Sequence, residues 1–294
     1  MPDPSPPLPP PARPSAAPSS RFSARLADAV AGAGAPVCVG LDPDPDRLPA
    51  PFARGAGRSP SEAASGAAEF CAAITESCAP HAAAFKPNLA FFEAWGADGW
   101  RALEHVCDAV RRSGRLLVLD GKRGDIGNTG RRYAASQFDG LGADAATVAP
   151  YMGADSVAPF LEHAGRCAFV LVATSNPGAA DLQHQTVGGQ PLYRETARLA
   201  SRAASDRPGE AGFVVGATRP GVVAELREEH PDVPFLVPGV GAQGGSAADV
   251  LAANAGGPIF VNASRSVLYA SDGADWARAA ADAAARLRDA LAGP

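Results

Sequence analysis

Leu116-Leu117-Val118-Leu119-Asp120-Gly121-Lys122-Arg123-Gly124-Asp125-Ile126-Gly127-Asn128-Thr129 is the stretch on which the reading of this chain turns. Its first four residues are an uninterrupted apolar run, the pattern of a strand buried on both faces in a parallel sheet. A carboxylate, an ammonium and a second carboxylate then follow, at Asp120, Lys122 and Asp125. Side chains alternate along a strand, so Asp120 and Lys122 are expected on the side of Leu116 and Val118, with Leu117, Leu119 and Gly121 on the other. An unpaired ion at the end of a buried strand costs on the order of several kcal/mol. The charges therefore form either a structural salt bridge or a functional site, and the matching groups supplied elsewhere in the chain favour a site.

Short apolar strands alternate with helical segments on both sides of this stretch. Before it come a helix over 21–31 (Phe22, Leu26 and Val30 on one face), a strand over 36–42, a helix over 61–79, a strand over 82–88, and a helix over 98–112 expected to bury Trp100, Leu103, Cys107 and Val110. After it come a helix over 129–138, a strand over 145–150, a helix over 154–164 and a strand over 167–175. A long loop rich in Gly, Gln, His and Asp follows, with a helix over 192–204. Strands over 212–218, 234–240 and 258–263 complete the set, with helices over 220–230, from about Ser246, and over 274–291. Eight strands, each followed by a helical segment, predict an α/β fold, a (β/α)8 TIM barrel. An open doubly wound sheet would carry a Gly-x-Gly-x-x-Gly turn after an early strand, and none is present. Residues 1–20 hold nine prolines and no apolar segment. They read as a disordered Pro-rich tail, and 21–294 as a single (β/α)8 barrel catalytic domain.

Composition narrows the function. No apolar run is long enough to span a bilayer, and the start of the chain lacks the basic and apolar regions of an export signal, so no membrane association and a cytoplasmic location are expected. The five cysteines are scattered without a Cys-x-x-Cys pair and the five histidines are isolated. Core thiols are expected, and no metal. A net charge of −5 with no basic cluster gives no footprint for nucleic acid. Of the 26 basic residues only Lys86 and Lys122 are lysine. Arginine is a poor proton donor and its broad fork cannot replace a compact ammonium, so the two lysines are candidates for work that arginine cannot do.

In such a barrel the active site lies at the C-terminal ends of the strands. Those ends supply Asp42, Lys86, Asp120 with Lys122, the Tyr151 region, Ser175, Thr218, residues 238–243 and Arg265. The alternating signs of the first four groups favour protonated lysines, which argues against a Schiff base. On the far side, the glycine-rich run from Pro238 to Gly245 opens a helix, and Asn262-Ala263-Ser264-Arg265-Ser266 adds a guanidinium. Loops after the seventh and eighth strands are the usual phosphate site of these barrels.

Asp120-Gly121-Lys122-Arg123-Gly124-Asp125-Ile126-Gly127-Asn128-Thr129 resembles the signature of the orotidine 5′-phosphate decarboxylases. Val39-Gly40-Leu41-Asp42-Pro43, Phe85-Lys86-Pro87-Asn88, Thr174-Ser175-Asn176-Pro177-Gly178, the run 238–245 and Ser264-Arg265-Ser266 support it over nearly the whole chain. It is most similar to the longer bacterial branch of the family. Gly121, where alanine is more usual, and the Pro-rich tail are its departures.

The resemblance implies decarboxylation of orotidine 5′-monophosphate to uridine 5′-monophosphate, the last step of de novo pyrimidine synthesis, without metal or cofactor. Lys122 would protonate C6, and Asp120 would lie against the substrate carboxylate. Asp125 would reach across a homodimer interface into a shared active site. Asp42 and Lys86 would hold the ribose hydroxyls, with Asp125 and Thr129 of the second copy adding contacts. Ser175 would bind the pyrimidine edge, Pro238 would pack on the base, and Gln243 and Arg265 would take the 5′-phosphate. The loop 176–189 would serve as a lid. The alternative is a Mg-dependent sugar-phosphate lyase or synthase sharing the Asp-x-Lys-x-x-Asp core; Lys86 stands where those relatives place a metal-binding glutamate, and a cation there opposes Mg²⁺. A silent barrel that only binds nucleotides is a further alternative.

Overall fold

The computed structural model describes residues 20–53, 59–240 and 244–292. Gln243 and all of the expected tail except Ser20 thus lie outside the described residues. Eight strands form a closed parallel barrel: β1 (Val37–Leu41), β2 (Ala84–Pro87), β3 (Leu116–Arg123), β4 (Ala145–Val148), β5 (Cys167–Ala173), β6 (Glu210–Val215), β7 (Phe235–Pro238) and β8 (Ile259–Ala263). Neighbours in sequence are neighbours in the barrel, and β8 returns to β1 with Val37 opposite Val261, Cys38 opposite Asn262 and Val39 opposite Ala263. The expected (β/α)8 barrel is the observed fold.

The period of two along each strand sorts the side chains into two cores. Cys38, Ala84, Leu116, Val118, Ala145, Cys167, Phe169, Val214, Leu236 and Phe260 fill the barrel. Val37, Val39, Leu117, Leu119, Val170 and Val261 face the surrounding helices. The helix Phe22–Ala33 closes the N-terminal end, where Phe22 meets Phe169 and Phe260 edge-on at 5.8 and 6.4 Å. Beside this plug, Asp144 takes the Arg25 guanidinium at 2.5 Å and the Leu117 amide at 2.8 Å. One end of the barrel is therefore sealed, and chemistry is left to the other.

The elements depart from expectation in instructive places. The helix Gly96–Arg112 buries Leu103, Cys107 and Val110, but Trp100 is 36% exposed. An unforeseen short helix, Leu89–Glu93, crosses it so closely that a Cβ on Gly99 would lie 1.7 Å from the Phe92 carbonyl oxygen. Gly99 takes the inward position there, and Trp100 is turned outward. The helix expected over 129–138 runs Gly127–Ala135 and ends in a wide turn, Ser136–Gly140, that buries Phe138. The loop after β5 contains a short helix, Ala179–Leu182, and an antiparallel pair, Thr186–Val187 with Gln190–Pro191. All five cysteines are free and buried. Among the described residues no helix is long and apolar enough to cross a membrane.

Candidate active site

Strand β2 delivers Lys86 into the barrel mouth. Lys86 precedes Pro87, which biases it to an extended conformation, and Asn88 stops the strand by capping the next helix through the Ala90 amide at 3.2 Å. Lys86 is 4% exposed, and its ammonium donates to Asp120 Oδ2 at 2.7 Å. Strand β3 delivers Asp120 one layer above Val118, as the alternation requires. Lys122 donates to the other oxygen, Oδ1, at 2.6 Å, and the Thr147 hydroxyl to the same oxygen at 3.0 Å. Asp120, itself buried, thus lies between a buried and a half-exposed ammonium.

Plain alternation does not bring Lys122 there. Val118 and Leu119 pair with Ala145 and Ala146, but the next pair is Arg123 with Val148, so Asp120, Gly121 and Lys122 together face Thr147 alone. Lys122 takes a left-handed backbone, φ 46°, which costs a non-glycine residue on the order of 1–3 kcal/mol. Such bulges re-aim a side chain, and here the bulge turns a strand residue over the end of its own strand. Thr147 Oγ1 accepts from the Lys122 amide at 2.9 Å, replacing a lost ladder bond.

Burial would raise the Asp120 carboxyl, but the ammonium of Lys86 and then that of Lys122 outweigh it and hold the group well below the usual carboxylate range. Burial would likewise lower Lys86, yet Asp120 and then Asp42 hold its ammonium above the ordinary lysine value. Cys38, one layer below, is pushed up to about 12 by burial and remains a thiol. The network is a fixed array of charges at neutral pH, with both signs kept ionised by each other.

Asp42 follows β1. Its Oδ1 is buried and has no hydrogen-bond partner among the described residues, and the same holds for Asn262 Oδ1 on β8 and Ser264 Oγ just after it. A buried polar atom without a partner costs about 1–3 kcal/mol, so this side of the mouth is built for hydrogen bonds from a polar ligand. Tyr269 binds the two loops together, accepting from the Asp44 amide at 2.6 Å and donating to the Asp42 carbonyl at 3.2 Å.

Pro238 and Asn262 are paired across β7 and β8, which sets the end of β7 beside the Arg265 turn. Ser246 caps the helix Ala247–Asn254 by accepting from the Asp249 amide at 3.3 Å, and Asp249 lies in its first turn. A carboxylate already occupies the end expected to attract an anion, which shifts that task towards Arg265. Arg265 is exposed, opens the short helix Arg265–Leu268 and makes no ion pair among the described residues. Ser175, above β5, packs against Gly216 above β6, where a Cβ would come within 2.8 Å of the Ser175 amide nitrogen. The loop beyond is fastened to β5: the Gln183 amide accepts from Thr174 N at 2.7 Å and donates to Thr174 Oγ1 at 2.8 Å, and Arg219 donates to His184 Nε2 at 2.8 Å.

The structure thus brings Lys86, Asp120 and Lys122 into contact, with Asp42 coupled to them by charge and Ser175, Pro238 and Arg265 around the rim. Asp125 and Thr129 stand apart. Asp125 Oδ1 accepts from the Ile126 amide at 2.7 Å, and Thr129 is exposed in the first turn of Gly127–Ala135. Sequence reasoning missed Thr147, Asn262 and Tyr269. The signal for Thr147 was its place as the one polar residue of β4, and for Asn262 a polar side chain at an inward position of β8.

The family profile described as "Orotidine 5′-phosphate decarboxylase / HUMPS family" matches residues 35–280, from just before β1 into the last helix. The chain belongs to this family. It is 49% identical to an orotidine 5′-phosphate decarboxylase of Roseiflexus castenholzii over 87% of this chain and 91% of that one. It is 46% identical to one of Variovorax paradoxus over 90% and 96%. Among solved structures, the OMP decarboxylase of Leishmania donovani superposes with a TM-score of 0.76 at 37% identity, over 92% of this chain and 99% of that one. These family members are named as decarboxylases rather than sugar-phosphate lyases, so the alternative reading finds no support in them.

Proposed function

We infer that this chain decarboxylates orotidine 5′-monophosphate to uridine 5′-monophosphate, the last step of pyrimidine nucleotide synthesis. The observation that carries the reading is Asp120 held between two ammoniums at the mouth of a family-typical barrel. Departure of carbon dioxide leaves an electron pair on C6 of the pyrimidine, with no adjacent carbonyl placed to absorb it. The Lys122 ammonium stabilises that developing charge and then donates its proton to C6, so one group serves in both steps. Asp120 lies against the departing carboxylate and orients Lys122. Asp42 and Lys86 hold the ribose hydroxyls, Ser175 the pyrimidine edge, and Pro238 packs on the base. Arg265, with Gln243, grips the phosphate, and that remote binding energy holds the reacting end in place. The segment 176–189 closes over the substrate as a lid. The enzyme works in the cytoplasm.

The test is loss of orotidine 5′-monophosphate absorbance with formation of uridine 5′-monophosphate. In the same assay, Arg265→Ala is expected to lower kcat/KM by about 10- to 100-fold, mainly through KM. That is the worth of a charge-assisted hydrogen bond of about 1.5–3 kcal/mol. An unchanged KM would refute the phosphate role.

The active form is a homodimer with shared sites. Ile126 and Met152 are 49% and 47% exposed and Tyr151 is 83% exposed, an apolar group on the loops after the adjacent strands β3 and β4. Asp125 is beside it and bonds its own backbone rather than Lys122. A second copy covering this face would receive Asp125 and Thr129 in its site. Mixing inactive Asp125→Ala with inactive Lys122→Ala is then expected to restore roughly a quarter of wild-type activity, since half the dimers would be mixed and each would carry one intact site. No recovery after verified subunit exchange counts against sharing.

A further inference from the structure

We propose that Thr147 is a positioning residue, its hydroxyl setting the mutual geometry of Asp120 and Lys122. The inference rests on the reading of Lys122 as the proton donor. Three observations carry it.

The first is the mismatch between β3 and β4. Three residues of β3, Asp120 to Lys122, stand opposite Thr147, so the ladder to β4 cannot define where they lie; on the other side only Asp120 keeps a backbone bridge, to Asn88. The second is what the hydroxyl does in that gap. It donates to Asp120 Oδ1 at 3.0 Å and accepts from the Lys122 amide at 2.9 Å, so one oxygen ties down both ends of the bulge. Its donor and acceptor roles run in one direction, amide to hydroxyl to carboxylate, and each bond polarises the next. The third is the residue's setting. Thr147 is 1% exposed and the rest of β4 is Ala145, Ala146 and Val148, so packing alone would be served by valine.

The geometric consequence follows from the Lys122 backbone. A left-handed residue outside glycine is held there only when its surroundings fix it. The side chain of Lys122 is half exposed, and its ammonium has one anchor among the described residues, Asp120 Oδ1. Thr147 shares that oxygen and also holds the Lys122 backbone. Without the hydroxyl, Asp120 would keep Lys86 on Oδ2, but Oδ1 and the bulge would be free to move independently. Threonine also suits the task better than serine, because its β-branch limits χ1 and so fixes the direction of the hydroxyl.

The experiment compares Thr147→Val and Thr147→Ser with wild type, measuring kcat and KM for orotidine 5′-monophosphate and the affinity for uridine 5′-monophosphate. Thr147→Val preserves shape and removes the hydroxyl. It is expected to lower kcat by about 10- to 100-fold, the range for slightly misplaced reacting groups, with KM and product affinity within about threefold of wild type. Thr147→Ser is expected to recover most of the loss. Wild-type kcat in Thr147→Val, or equal losses in both variants, would overturn the proposal. Should Thr147→Val fail to fold, Thr147→Ala and Thr147→Ser differ by the hydroxyl alone: serine at least about tenfold faster supports the role, and equal rates overturn it. Lys122→Ala is run alongside; if that variant turned over normally, the proton-donor reading itself would fail, an outcome separate from any result at position 147.

Discussion

Lys122→Ala is expected to lower kcat on the order of 10⁴-fold or more while the protein still folds and binds uridine 5′-monophosphate. A positioned general acid contributes about 10²–10⁴, and a fixed charge facing a developing carbanion contributes further. On the proposed mechanism the single ammonium performs both tasks, so its removal forfeits both. Folding should survive because the Lys122 side chain is half exposed and Asp120 keeps Lys86 and Thr147 as partners. Relief of the left-handed backbone works neither way, since alanine at φ 46° carries a similar strain. Single-turnover decay of substrate absorbance, with product affinity measured separately, divides chemistry from binding. Turnover within about tenfold of wild type would remove Lys122 from the mechanism.

Asp120→Ala should be as damaging to activity and far more damaging to the fold. Its removal leaves Lys86, 4% exposed, with only Asp42 to answer its ammonium. Breaking a buried pair from one side costs about 3–5 kcal/mol. For a domain of this size that is a fall in Tm of roughly 5–10 °C.

The sign of the pH dependence distinguishes this cause from simple loss of packing. In the wild type the folded Lys86 pKa is raised, so its stabilisation is complete below the unfolded value of about 10.4 and fades as pH climbs through the folded value. Asp120, held low, adds stability above about pH 4 that fades only as pH falls through its folded value. In the variant, burial acts on Lys86 with its main counter-charge gone and depresses its pKa. Stability should then rise with pH between neutrality and about 10, an interval over which the wild-type Lys86 contribution is constant. A variant whose Tm is flat over that interval would show that Lys86 does not rely on Asp120.

Most of the architecture was legible because it depends on local chemistry. Leu116 to Leu119 read as a buried strand, and the period of two placed Asp120 above Val118 in the mouth. The rarity of lysine singled out Lys86 and Lys122. What escaped the sequence depends on pairs of segments. The bulge at Lys122 exists only in the register between β3 and β4, and nothing in β3 alone announces it. Thr147 gains its importance from standing opposite that bulge; in isolation it is a lone hydroxyl in a strand of four residues. Trp100 read as core because the helix pattern cannot foresee that Leu89–Glu93 would press against Gly99. The segment after β5 read as plain loop since Gln183 and His184 acquire partners, Thr174 and Arg219, only once the chain is folded.

The clasp made by Tyr269 also bears on how the enzyme comes into being. Asp44 and Tyr269 are 225 residues apart in sequence, and they meet at the seam where the last strand pairs with the first. Contacts of such separation carry a large loop-closure entropy, which makes them late in folding. Asp42 on one side of the seam and Arg265 on the other become neighbours only when that seam shuts. On the proposed function, a nucleotide that touches both would fasten the ring as well as serve as substrate, and by mass action its presence would favour the closed chain over every open form.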